Sequence, residues 1–397
     1  MFSLVQFYSL MDESSLIRKK ITKDILDGKK PDKKDIDRLK EIKETLLSIE
    51  GVDENNYKGY LLLTEHKKIE VDLSYEIEEL KKDLIYLEKG EESLFQYFER
   101  LYPDFDKKLN KLIEEFPKDR FFLFATDRDG TINNYCGRYR TSIQSIYNGV
   151  FLSEFAKKKT TNSIILTSAP MKSPGILDVV VIPEGVYILS ASKGREFVDK
   201  EGKRHTYPIK DEEKELLDRL FERIKELVSK EEYRKFSLIG SGLQYKFGQV
   251  TIARQDISHS IPDRESLEFL NIIRSVVKEL DPEGKFFTIV DTGLDIEIIL
   301  TIEGGEGRKE FTKGDGLLFI LDKLSIDIKD KVCLIAGDTS SDIALLEAVL
   351  KREAKPISVF ITKDNGLIEK VNSLCKNSYI IPYVDLFVTS LYFLAKN

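Results

Sequence analysis

The sequence predicts an α/β protein built on an open, mainly parallel sheet and preceded by an all-helical N-terminal region. Three observations carry that expectation. From residue 13 to about residue 117 the chain is dense in Glu, Lys, Leu and Ile, and YEIEELKKDLIYLEKG repeats apolar residues three and four apart, the helical period. After Arg120 the texture changes to short β-branched or aromatic runs: FFLFAT, SIILTS, VVVIP, VYILSA, QVTIAR, FFTIV, IEIILTI, VCLIAG and ISVFIT. Those runs alternate with helical patterns such as DEEKELLDRLFERIKELVSK and DRESLEFLNIIRSVVKEL, as α/β proteins do.

In chain order, GVDENNYKGY and the segment around Pro103 are breaks between helices, and EEFPKDR closes the helical region because Pro117 has no amide hydrogen to continue a helix. FFLFAT, SIILTS and VCLIAG are continuous apolar runs, suited to strands buried on both faces of a parallel sheet. VTIARQD and IEIILTIEGG suit an antiparallel sheet better. EGGEGR at 303–308 is glycine-rich but acidic and lacks a GK[ST] ending, so it reads as a hairpin or loop and not as a nucleotide cradle.

At 397 residues the chain exceeds one core, and two or three domains are expected. A net charge of -7 argues against a nucleic-acid partner. Cys136, Cys333 and Cys375 have no paired spacing, which indicates neither a zinc site nor a disulfide framework and fits a reducing cytoplasm. The N-terminus lacks a basic n-region and no run approaches the roughly 18 apolar residues of a membrane span, so a soluble cytoplasmic protein with no membrane partner is expected. His66, His205 and His259 are isolated from one another and read as surface residues.

The informative feature is where the polar clusters fall. DRDGT follows FFLFAT, TS follows SIIL and GDTSSD follows VCLIA, each at the carboxyl end of a strand, where open parallel sheets bind ligands. DRDGT is not a calcium loop: counting from Asp127, the glycine and acidic positions of such a loop hold Ile132 and Arg138. Asp127, Asp129, Asp338 and Asp342 would converge on one sheet edge and repel one another, a demand for a divalent cation. All-oxygen ligation favours Mg²⁺.

With these residues in view, residues 119–397 resemble the haloacid-dehalogenase (HAD) phosphatase superfamily, in four short motifs in the right order. The resemblance implies a HAD-like Rossmannoid core, with Asp127 as nucleophile and Asp129 as general acid and base whose backbone carbonyl also meets the metal. It further implies Thr167, or Ser168 in the neighbouring register, and Lys313 as phosphate-binding groups. Asp338 becomes a metal ligand and Asp342 its support. An acid at position 129 points to a phosphatase, with a phosphosugar mutase as the enzymatic alternative and ligand sensing through the helical region as the non-catalytic one.

The interval from Thr167 to Lys313 is far longer than one crossover needs, and in this superfamily an insertion there is an α/β cap that closes over the site and reads the leaving group. Its details resemble the trehalose-6-phosphate phosphatases and their sugar-phosphatase relatives. ILSASKGREFVDKEGKRH implies substrate roles for Lys193 and Glu196, VTIARQD for Arg254, and DIEIIL for Glu297, with KGDGLLFIL again placing Lys313. Lys193 stands where that family has His, Ile299 where it has Arg, and the fourth motif lacks the usual Gly-Asp-Asp start. Trehalose 6-phosphate is the expected substrate, with glucosylglycerol phosphate, glucosyl- or mannosyl-3-phosphoglycerate and sucrose 6-phosphate as alternatives. The expected division is a helical domain at 1–118, core at 119–190, cap at 191–300 and core at 301–397. The helical domain is a candidate for self-association.

Overall fold

The computed structural model describes residues 2–53, 56–64, 67–172, 174–304 and 307–396. The expected surface residue His66 lies outside them. None of the described helices is long and apolar enough to cross a membrane.

The apolar runs after Arg120 assemble into one eight-stranded sheet. Its order is Ser378–Ile381, Lys355–Ile361, Val332–Gly337, Phe121–Thr126, Thr160–Leu166, Ile188–Ala191, Glu196–Val198 and Arg204–Thr206. The first six strands run parallel, and the last two fold back as antiparallel additions. The central strands are buried on both faces, which explains their unbroken hydrophobicity. VVVIP is not a strand: Ile176–Val179 forms a short helix and the following valines pack as buried loop, while the neighbouring run supplies the strand Ile188–Ala191. The boundary expected at residue 191 falls inside this sheet, because Glu196–Val198 and Arg204–Thr206 hydrogen-bond onto it.

The inserted unit is a separate antiparallel sheet ordered Phe287–Asp291, Asp295–Leu300, Gln249–Ala253 and Leu243–Lys246. Alternation gives it two chemically different faces. Val250, Ile252, Ile296, Ile298 and Leu300 pack with the helices Asp211–Ser229 and Asp263–Leu280 in one apolar cluster. Cross-strand register puts Gln244, Thr251 and Glu297 in one row of the opposite face, and Lys246, Gln249 and Ile299 in the next. Of the EGGEGR stretch, the described residues pair antiparallel, Ile302–Gly304 against Gly307–Lys309.

The N-terminal region comprises helices Leu4–Leu26, Lys33–Leu47, Ser74–Leu101 and Phe105–Glu115, with an antiparallel hairpin, Lys58–Thr64 against Lys67–Asp72, between the second and third. Leu4, Phe7, Ile77 and Phe98 share a single apolar cluster with Phe124, Phe151 and Phe387 of the α/β core. The helix Ser74–Leu101 departs from the usual amphipathic pattern, since Glu76, Glu79, Lys82 and Asp83 are all buried. They are buried because they are paired. Lys82 Nζ lies 2.7 Å from Glu79 and 2.8 Å from Asp385 on the helix Val384–Lys396. Asp385 also accepts hydrogen bonds from Tyr102, Tyr147 and Asn134. Burial pushes the Asp385 carboxyl up, yet Lys82 and the two tyrosine hydroxyls outweigh it and hold the group below its ordinary value.

Removing the cation from this network strands two buried carboxylates, so Lys82→Met is expected to cost about 3–5 kcal/mol of stability at pH 7. Because the folded-state value of Asp385 is depressed, its contribution is present above the ordinary carboxylate pKa and is lost as pH falls through the folded value. The gap between wild type and variant therefore narrows in acid. Urea midpoints at pH 7 and at the lowest pH where both proteins fold would check both statements.

Candidate active site

Register places the acidic residues together. The strand Phe121–Thr126 pairs in parallel with Val332–Gly337, Thr126 opposite Ala336, so Asp127 and Asp338 leave the sheet at the same edge. The backbone N–H of Asp127 donates to the carbonyl of Ala336 at 3.0 Å, extending the ladder by one residue. Carboxylate oxygens of Asp127, Asp338 and Asp342 lie within 4.8 Å of one another, a group that could hold a metal ion. Among the described residues the Asp129 carboxylate is not part of that group, whereas Asp342 is.

Two glycines make the convergence possible. At Gly130, whose φ is +86°, an added Cβ would stand 2.2 Å from Asp338 Oδ2, and at Gly337 it would stand 2.3 Å from Cβ of Asp342. Thr131 Oγ1 donates to Asp338 Oδ1 at 2.9 Å. Asp342 Oδ2 accepts the backbone N–H groups of Asp338 and Thr339 at 3.1 and 2.9 Å, which fixes the loop GDTSSD around it.

Lys313 supplies the positive charge. It is the first residue of the helix Lys313–Lys323, capped by Thr312 and Asp315. That is the end of a helix dipole where a cation is least welcome. Its Nζ lies 2.8 Å from Asp127 Oδ1 and 2.6 Å from Asp342 Oδ1, wholly within the protein. Burial disfavours the ammonium, but Asp127 and Asp342 outweigh that and hold its pKa well above the ordinary value. Burial pushes the Asp127 carboxyl well up, against the pull of Lys313, and the charges of Asp342 and Asp338 push it further. Asp338 is pushed up to about 6 by burial and by Asp342. One lysine does not balance three carboxylates.

Thr167 immediately follows the adjacent strand Thr160–Leu166, buried, its Oγ1 accepting from the N–H of Ala169 at 3.2 Å, while Ser168 is half-buried. Asp129 is turned to a different set of partners: Ser142 Oγ donates to its Oδ1 at 2.7 Å and the buried guanidinium of Arg128 pairs with the same oxygen.

The inserted sheet turns its polar face toward this edge. Lys193, from the core loop after Ile188–Ala191, reaches Glu297 at 3.4 Å and Glu310 at 2.8 Å. Beside Glu297 stands Lys246, only 4% exposed, whose ammonium is pulled down by burial against the carboxylates of Glu297 and Asp295. Tyr135, 62% exposed, stands within electrostatic reach of Asp295 on the inserted sheet and of Asp129 and Asp338 on the core. Lys193 and Glu297 are thus brought together, whereas the other two expected substrate residues are engaged elsewhere. Glu196 accepts from Ser192 at 3.0 Å and Arg204 at 2.6 Å, and Arg254 is held by Asp291 at 2.7 Å and Ser266 at 2.7 Å. His205 is not a surface residue: it stacks on Phe197, and its Nε2 lies 2.6 Å from Asp199 Oδ2.

Sequence reasoning missed Gln244, Lys246 and Thr251 on the polar face, although LQYK and QVTIA carry the alternation that marks it. It also missed Arg128 and Ser142 around Asp129. Nothing local marks Ser142, which is 13 positions from its partner.

Comparison with known proteins follows the same outline. Residues 124–386 match the family model of the trehalose-6-phosphate phosphatase C-terminal domain, and residues 3–105 match that of the trehalose-6-phosphate phosphatase N-terminal helical bundle domain. An α,α-trehalose-phosphate synthase (UDP-forming) of Aphelenchoides avenae is 32% identical over 392 residues, 94% of this chain and 34% of its own length. A trehalose-phosphatase of Brugia malayi is 31% identical over 297 residues, 73% of this chain and 58% of its own. The chain thus spans about a third of the first of these relatives. The solved trehalose-6-phosphate phosphatase of Aspergillus fumigatus superposes with a TM-score of 0.42 at 15% identity, covering 73% of this chain and 98% of that one.

Gly130→Ala would drive a methyl group into Asp338. Divalent-cation binding, followed by titration calorimetry, is expected to weaken by about tenfold or more, the scale seen when a ligand's support is disturbed.

Proposed function

The chain belongs to the trehalose-6-phosphate phosphatase family, and on that premise we propose that it hydrolyses trehalose 6-phosphate to trehalose and inorganic phosphate through an aspartyl phosphate on Asp127. The observation that carries the proposal is the constellation of Asp127, Lys313, Asp338 and Asp342 at one sheet edge.

Phosphate monoesters are so inert in water that their enzymes reach accelerations of up to about 10²¹-fold, which requires splitting the reaction and stabilising charge. The Asp127 carboxylate attacks phosphorus as the bond from phosphorus to the sugar oxygen breaks, and Asp129 gives its proton to the departing oxygen. Asp129, now a carboxylate, takes a proton from water as that water attacks phosphorus and releases Asp127. One ester and one water become one sugar and one phosphate, and Asp129 ends protonated as it began. Lys313 offsets charge on the phosphoryl oxygens and Thr167 donates to one of them.

The donor set fits Mg²⁺: three carboxylates, all oxygen, with too little positive charge beside them. Asp127 and Asp338 would hold it with Asp342 in support, and when bound it would polarise the phosphoryl group for displacement. The leaving group is a neutral, hydroxyl-rich disaccharide, and the polar face of the inserted sheet supplies donors and acceptors in a mixed array: Gln244, Lys246, Thr251 and Glu297, with Lys193 opposite. Such a face suits hydroxyls better than a second anion.

The test is phosphate release from trehalose 6-phosphate against a panel of other glycosyl phosphates. Trehalose 6-phosphate should lead the panel, EDTA should stop the reaction and added Mg²⁺ should restore it. Asp127→Asn should be inactive, and full turnover by that variant would refute the mechanism. Asp129→Asn should lose about 10²- to 10⁴-fold in turnover and accumulate acid-stable phosphoprotein, the share expected of acid–base catalysis. An isomeric sugar phosphate in place of inorganic phosphate would identify a mutase.

A further inference from the structure

We propose that Arg195 is a positioning residue for the leaving group: anchored in the core, it fixes the end of the inserted sheet and thereby sets Lys246 and Glu297 relative to the phosphate-binding groups. The inference rests on the reading above, in which the polar face of that sheet receives the sugar.

The loop that carries Arg195 is strained. Ser192, Lys193 and Gly194 have φ of +54°, +59° and +98°, three left-handed residues in succession of which only the last is glycine. Such a run persists only where its neighbours over-determine it. Here the neighbours belong to the phosphate-binding side of the core. The N–H groups of Ser192 and Lys193 donate to the carbonyls of Ala169 and Thr167 at 2.8 and 2.9 Å. A Cβ on Gly194 would strike Cα of Gly316, in the first turn of the helix that Lys313 begins. The loop is thus set by the two segments that supply Thr167 and Lys313.

From that base the loop grips the inserted sheet. Ser192 Oγ accepts from the N–H of Phe247 at 3.0 Å, Arg195 Nη1 donates to the carbonyl of Gly248 at 3.2 Å, and Arg195 Nη2 donates to that of Leu300. Gly248 lies in the turn between Leu243–Lys246 and Gln249–Ala253, and Leu300 ends the strand Asp295–Leu300. One guanidinium therefore ties two parts of the inserted sheet to the core. Lys246 precedes the first contact by two residues and Glu297 precedes the second by three. A Cβ on Gly248 would collide with Nη1, so the guanidinium fills the space that glycine leaves.

Packing alone does not call for an arginine here. Arg195 is buried over the ring of Phe311 at 4.7 Å, and among the described residues it forms no ion pair. Burial pulls its pKa down to about 10, so it is still charged at pH 7. A buried cation without a counter-ion is costly, and a methionine would fill the same space without that cost. What the guanidinium adds is a planar fork with donors aimed at two acceptors. The covalent links do not supply this. The chain passes between the two sheets at 207–210 and after Leu300, and a cavity of about 310 Å³ lies there, lined by Arg195, Tyr207, Pro208, Leu300 and Thr301 among others. Two further ties, Arg308 to Glu213 at 2.6 Å and the Tyr8 hydroxyl to the carbonyl of Leu238 at 3.1 Å, do not touch the strands that carry Lys246 and Glu297.

The experiment uses the full-length chain and two esters. With trehalose 6-phosphate, Arg195→Met should raise KM by about tenfold or more and leave kcat within about threefold, the pattern of lost uniform binding. With p-nitrophenyl phosphate, whose leaving group has no sugar hydroxyls, both constants should stay within about twofold. Arg195→Lys keeps the charge and loses the fork, and it carries the same expectations if Arg195→Met folds poorly. A second readout needs no substrate. Spin labels on Lys225→Cys in the inserted unit and Lys351→Cys in the core, both exposed positions, report the distance between the two by pulsed dipolar spectroscopy, while Cys136, Cys333 and Cys375 are buried. The chain with Arg195 should give one narrow distribution and the variant a broadened or shifted one. An unchanged KM for the sugar ester, an unchanged distribution, or equal losses on both esters overturns the proposal. If the wild-type chain ignores trehalose 6-phosphate but cleaves another glycosyl phosphate, the substrate assignment alone falls and the KM comparison is made on that ester. If it cleaves no sugar ester, the reading of the polar face falls and this positioning with it.

Discussion

Repulsion among three carboxylates at the end of a parallel sheet is the constraint around which the rest is arranged. Two unit charges 4.8 Å apart repel by about 3.5 kcal/mol at an effective dielectric constant near 20, so three such pairs approach the whole stability of an ordinary domain. Folding tolerates Asp127, Asp338 and Asp342 together by delivering positive charge among them and by raising the proton affinity of Asp127 and Asp338. The helix Lys313–Lys323 does part of this by starting at Lys313, against the preference of its own dipole. Its close approach demands glycine: a Cβ on Gly314 would stand 2.4 Å from the Ala344 carbonyl, and one on Gly316 2.1 Å from that of Lys193. The remaining imbalance is what suits the three carboxylates to hold a metal ion.

The same logic separates the two aspartates of DRDGT. They stand two positions apart with a bend at Arg128 between them and face different partners: Asp127 meets Lys313, and Asp129 meets Arg128 and Ser142. The roles proposed for them, nucleophile and acid–base group, call for different surroundings. Arg128, buried between them, pays its desolvation by pairing with its own neighbour and by resting over the ring of Tyr139 at 5.8 Å. The N-terminal helix Ser74–Leu101 braces the segment from Asn133 to Ile143 through Tyr75, Glu76 and Glu79, and the N-terminal helices share one apolar core with the sheet.

How much of this was legible in the sequence follows from the range of each interaction. The parallel strands were visible because burial on both faces leaves no polar alternation, and the acidic motifs were visible because they sit immediately after those strands. Lys313 was found because a short helix and a strand fix its distance from GDTSSD. VVVIP misled because hydrophobicity reports burial, and buried loop and buried strand share it. The hairpin Lys58–Thr64 with Lys67–Asp72 lies in a stretch whose lysines and glutamates favour helix, and pairing between the two strands overrode that preference. Tyr75 could not be seen at all: its partner Asn133 is 58 positions away, and a tyrosine on a helix announces nothing about a contact at that range.

Arg254 and Glu196 show why a motif carried over residue by residue identifies a position more safely than a role. Each side chain is already satisfied, Arg254 by a two-pronged contact with Asp291 and Glu196 by Arg204 and Ser192. Recruiting either to a ligand would mean breaking charge-assisted bonds to make equivalent ones, which gains little. Lys246 is in the opposite condition. Nearly all of its length is buried, and it shares the polar face with Glu297 and Asp295, whose charges oppose the burial that pulls its ammonium down. A sugar hydroxyl arriving beside it would accept a hydrogen bond without dismantling an ion pair. For the sugar phosphate proposed as substrate, specificity is therefore better sought along the row from Gln244 to Glu297 and at Lys246 beside it than at the arginine the sequence points to.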